Sequence, residues 1–198
     1  YPLNKGGGEM LNDVMTLPEA SVIWCIKYEG LVKCITAGPL DQPKFRDDEW
    51  DKIQDTWVVT RQAMERLFWP MRSITAEKAY ILVQLKCPGL AVRNYYETER
   101  GFVFSGECYG GGFPKVEKKT GRVGWFLEEW GSKKERRWKS TKDFHLDKYD
   151  ENLGPMYDTI KEKMEMVRKI QNHGATFPIQ KNKEYKNFFQ KFLDKIGR

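Results

Sequence analysis

Short apolar runs of strand length, each closed by a turn signal, dominate residues 22–37 and 78–130 of this chain, and helical periodicity holds only at 47–68 and beyond 152. A chain patterned this way must bury sheet faces under helices, which predicts an α+β fold. The run SVIWCIKYEGLVKCITAG reads as a hairpin of residues 22–28 and 31–37 around Glu29-Gly30. A two-residue turn there would place Cys25 opposite Cys34 in a non-hydrogen-bonded pair, with Cβ atoms about 4.5–5.5 Å apart. KAYILVQLK is a continuous apolar run of strand length. VRNYYETERGFVFSGE reads as a second hairpin turning near Glu99-Arg100-Gly101, and RVGWFLEEW as a further strand after the turn signal KKTG.

The helical signals differ in period. From Asp47 onward Trp50, Ile53, Trp57, Met64, Leu67 and Phe68 recur as one helical stripe until Pro70. Pro155 opens a second helix with a stripe of Met156, Ile160, Met164, Val167 and Ile170, stopped at Asn172-His173-Gly174. Tyr185, Phe188, Phe189, Phe192, Leu193 and Ile196 fall on one stripe and predict a last amphipathic helix that should belong to the core. The expected architecture is an antiparallel sheet built from hairpins with three or four helices packed on it. No repeat or linker divides residues 1–198, so a single globular domain is expected, with a basic hairpin and loop region at 115–142 and a helical C-terminal third at 152–198.

With 40% hydrophobic and 14% aromatic residues the chain is no disordered polypeptide. No window of 18 apolar residues offers a membrane span. The opening YPLNKGGGEMLND lacks the pattern of a signal peptide, which predicts an intracellular protein of cytoplasm or nucleus. Charge is unevenly placed: residues 1–110 hold 13 Lys/Arg against 15 Asp/Glu, and residues 111–198 hold 21 against 13. Between Lys115 and Lys142 stand ten basic and four acidic side chains, a field that attracts nucleic acid, an acidic protein face or anionic lipid.

Enzyme chemistry finds little support. Four cysteines and two histidines contain no C-x-x-C and no H-x-x-x-H, so neither a metal site nor a cofactor is expected. A phosphate loop is missing as well. The sharpest enzymatic alternative is a small cysteine hydrolase with Cys108, which the glycines of SGECYGGG could leave exposed, as nucleophile and His145 as base. Arg100-Gly101-Phe102-Val103-Phe104 resembles the opening of the RNP1 element of RNA-recognition motifs, but Val103 and Ser105 depart from it, and the likeness is one of strand chemistry.

The stretch GWFLEEWGSKKERRW joins cations to rings, the combination that binds single strands because charge tracks phosphates while rings stack on bases. The predicted surface comprises Lys133, Lys134, Arg136 and Arg137 with Trp130 and Trp138, extended by Lys118, Lys119 and Arg122. The expected function is therefore a non-enzymatic module binding nucleic acid, RNA or single strands. The alternative is a protein-binding accessory or adaptor factor, of viral type, that uses its aromatic surface on an acidic partner. Glu128, Glu129 and Glu135 interrupt the basic run and suit that partner as well as they suit RNA.

Overall fold

The computed structural model describes residues 14–36, 44–87, 90–106, 112–126 and 137–173. The fold is α+β, with helices packed on two antiparallel sheets built from hairpins.

The first surprise lies at residues 17–36. Strand β1 (Val14–Thr16) leads into helix α1 (Leu17–Trp24), where the Glu19 carboxylate accepts the Thr16 backbone N–H at 2.8 Å and its hydroxyl at 2.9 Å. The first of these bonds satisfies a backbone donor that a helix start leaves orphaned, and Pro18 pre-sets the first turn. Cys25 then adopts a left-handed conformation (φ 56°) and ends the helix. Helix α2 (Tyr28–Thr36) follows after three residues. The predicted hairpin at 22–37 is thus a pair of helices. Cys25 is exposed at the end of α1 and Cys34 buried in α2, so the two are not cross-strand partners.

The stripe from Asp47 is also divided. Trp50 and Ile53 stand on β2 (Trp50–Ile53) and Trp57 on β3 (Thr56–Thr60), a hairpin turned by Gln54 at φ 56°; only its second half is helical, as α3 (Arg61–Leu67). Thr60 caps α3 by accepting the Ala63 N–H at 3.2 Å. The first sheet has the order β1-β3-β2, with Val14 opposite Thr60 and Trp50 opposite Val59.

KAYILVQLK belongs to helix α4 (Ala76–Lys86) instead of a strand. Tyr80, Ile81, Leu82 and Val83 are each almost wholly buried, so neighbours on several sides erase the one-sided periodicity that marks a helix. The second hairpin is where the sequence placed it, as β4 (Val92–Glu97) and β5 (Gly101–Gly106), and β6 (Phe113–Glu117) and β7 (Val123–Phe126) follow on either side of the KKTG turn. A short β8 (Lys139–Ser140) completes the order β7-β6-β5-β4-β8. One turn of helix, α5 (Asp150–Leu153), precedes α6 (Tyr157–His173), in which Ile160 and Met164 are buried as the stripe required. The predicted helix at 185–196 lies outside the described residues. A continuous core runs from Met15 through α1, α2 and α4 to Phe104, Val116 and Met164.

Candidate nucleic-acid interface

Helix α2 has two distinct sides. Leu31 and Cys34 are buried, and Tyr28, Val32 and Ile35 pack partly against the core. Burial pushes the Cys34 thiol above its ordinary range. Glu29, Lys33 and Thr36, spaced at i, i+4 and i+7, form one exposed row. That row offers a carboxylate, a cation and a hydroxyl on a rigid rod, the kinds of group by which base edges are read, though the Thr36 hydroxyl donates to Val32 O at 3.0 Å and has only its lone pairs left to offer.

The turn between the two helices is anchored from outside. The Asn152 amide donates to Ile26 O at 2.8 Å and to Ser21 O at 3.3 Å, and the Ser21 hydroxyl also donates to Ile26 O. Lys27 pairs with Glu151 at 2.7 Å across the same junction. Gly154, at φ 51°, lies so close to the Tyr28 ring that a Cβ there would stand 2.8 Å from it. Removing the amide with Asn152→Ala is expected to cost about 1 kcal/mol and to speed hydrogen exchange at residues 25–28. Exchange as slow as in the unaltered protein would show that the turn holds itself.

The β2–β3 hairpin projects beside this pair. Its tip residues Ile53, Gln54, Asp55 and Thr56 are exposed, while Trp50 and Trp57 stack tilted at 5.3 Å and Lys52 lies 5.1 Å over the Trp57 ring. At its base Glu49 accepts from Arg66 Nε at 2.7 Å and from the Arg46 N–H at 2.8 Å. Burial works to raise the Glu49 carboxyl, but those hydrogen bonds and the two guanidiniums hold it below the usual carboxylate range.

The order of these parts is specific: a strand, two helices joined by a three-residue turn, then a hairpin whose second strand pairs back beside the first. Residues 8–72 match the family described as a helix-turn-helix domain. No curated protein and no solved structure matches the chain. The match hints at nucleic acid as the ligand class. The matched segment, residues 8–72, holds 8 Lys/Arg against 11 Asp/Glu, so it does not carry the basic field predicted to bind.

The residues predicted from the sequence lie elsewhere. Lys118 is engaged within the protein, 2.7 Å from Glu97 and 2.9 Å from Thr98 O, over the Phe102 ring at 5.2 Å. Its hydrogen bond holds the Glu97 carboxyl below the usual range. Lys119, Arg122 and Arg137 are exposed. Trp138 is 40% exposed, its other side packed edge-on against Tyr96 at 4.8 Å and against Phe113 at 6.2 Å. Trp125 is 57% exposed. Trp130, Lys133, Lys134, Arg136 and Cys108 lie outside the described residues. His145 is exposed, and its backbone N–H donates to Glu77 at 3.2 Å. Among the described residues no group of three or more His, Cys, Asp or Glu is placed to hold a metal, and no helix is long and apolar enough to cross a membrane.

The row on α2 escaped the sequence reading. The available signal was Thr16-Leu17-Pro18-Glu19, a capping pattern ahead of an apolar run.

Proposed function

We propose that the chain binds duplex DNA, with α2 in the major groove and Glu29, Lys33 and Thr36 facing the bases. The observation that carries this reading is the helix-turn-helix match falling on a strand, helix pair and hairpin whose second helix keeps a polar row in solvent. In such pairs the second helix reads the groove while the first crosses the backbone. The turn is fixed by Asn152, so the rod is positioned before DNA arrives. Binding then orders few protein groups, which lowers its entropic cost. An intracellular protein working as a non-enzymatic module follows from the same reading.

Selection from random duplexes tests it. The unaltered protein is expected to enrich a preferred sequence, and Lys33→Ala to relax the preference at one position, at a cost of about 1–3 kcal/mol. Recovery of no preferred sequence, or of the same one by both proteins, would count against α2 as the reader.

A second reading has its own observation. Trp125 and Trp138 are exposed in the basic half, as a single-strand platform of RNA or DNA requires. Single strands that outcompete duplex of equal length, with affinity lost in Trp138→Ala, would favour it. A protein partner is the outcome if neither nucleic acid binds the folded chain.

A further inference from the structure

Nucleic-acid affinity comes chiefly from neutralised phosphates, yet the helix-turn-helix segment has an excess of acid. Cations from outside that segment must therefore approach the same ligand, and the structure brings two of them to one place. Lys86 ends α4 and Arg122 precedes β7. Together with Arg61, at the start of α3, they line a groove of about 220 Å³ along α1 at Glu19 and Ile23.

We propose that this groove takes a backbone phosphate of bound DNA. The proposal rests on the duplex reading above and adds a contact that the matched segment cannot supply alone. Among the described residues, three cations and one carboxylate line the groove. That carboxylate, Glu19, already accepts two bonds from Thr16 and stands 3.0 Å from Lys86 Nζ. The described lining is therefore positive on balance, and a guanidinium fork suits phosphate oxygens.

Its walls are preorganised. Arg61 donates to Thr120 O and lies 5.7 Å over the Trp24 ring, which ties α3 to the turn before β7. Gly121, at φ 66°, lets that turn sit against α1; a Cβ there would stand 3.1 Å from Ile23. The fold thus holds Arg122 beside the helix that crosses the DNA backbone in this class of domain. Lys86 and Arg122 are both exposed at the rim, where a strand could reach them.

The test uses the full chain and two probes. Duplex affinity is measured across a range of salt for the unaltered protein, Lys86→Ala, Arg122→Gln and Lys33→Ala, and backbone amide resonances are followed as inorganic phosphate is added. Each groove substitution is expected to lower the slope of log affinity against log salt by about 1 and to weaken all sequences alike. Lys33→Ala should instead change the preferred sequence. Phosphate should shift the amides of Lys86 and residues 121–123, and Arg122→Gln should abolish the shift. Unchanged slopes in both groove variants would overturn the proposal, and phosphate shifts alongside those unchanged slopes would mean an adventitious ion only. Phosphate shifts in a protein that binds no duplex would sink the duplex reading and leave the anion site standing.

Discussion

Phe104→Ala is expected to lower folding stability by about 3–5 kcal/mol, the largest effect of any single substitution considered for this chain. Phe104 is wholly buried on β5, with its ring 6.5 Å from Tyr80 on α4 and 5.9 Å from Tyr95 on β4. It therefore sits where helix and sheet meet, and the cavity left by its removal has walls on both. Burial pushes the Tyr80 phenol far above its ordinary range, as a dry seam requires. For a chain of this size each kcal/mol is worth about 2–4 °C of melting temperature, so the loss is easily read by calorimetry. A melting temperature within a degree of the unaltered protein would mean that the second sheet and α4 do not share a core.

Leu31→Ala should cost about 2–5 kcal/mol, and it should also weaken DNA binding. Leu31 is wholly buried on α2, and with Cys34 it seats that helix. Two residues away, Lys33 is exposed, and its removal should leave stability within about 0.5 kcal/mol while altering sequence preference. The two substitutions on one helix should thus separate folding from recognition. If Lys33→Ala destabilised the protein as much as Leu31→Ala, the outward row would be part of the core and could not face a ligand.

The parts of this fold that were legible in the sequence carried either a turn signal at a hairpin tip or a one-sided helical stripe. The β4–β5 hairpin closes on a turn at residues 98–101, although Phe102, Val103 and Phe104 are all buried, and α6 buries Ile160 and Met164 on one face. Where an element is enclosed on several sides, pattern loses its meaning. Along α1 Leu17, Ala20, Val22 and Ile23 are all buried, and along α4 Ala79 to Val83 are; β-rich residue types then read as strands. The true markers were at the helix starts, in Thr16 with Glu19 and in Thr75, which accepts the Lys78 N–H at 3.3 Å.

The site was harder to read than the fold for an electrostatic reason. A search for positive charge leads to residues 115–142, whereas the segment matched by the helix-turn-helix family, residues 8–72, is acidic on balance. The groove at Arg61, Lys86 and Arg122 resolves the two, because its cations stand 25 and 36 positions apart in the chain and meet only after folding. Arg122 was among the residues predicted from the sequence. Lys86 was not, being a single lysine at the end of an apolar run.

Amide mapping with bound DNA tests the central claim most directly. A duplex recovered from the random selection, or a mixed-sequence duplex if none is enriched, is titrated into the labelled chain. The duplex reading predicts shifts concentrated at residues 28–36 of α2, with weaker ones at the hairpin tip, residues 53–56. Shifts confined to residues 113–126 and 137–140, with α2 unmoved, would contradict it.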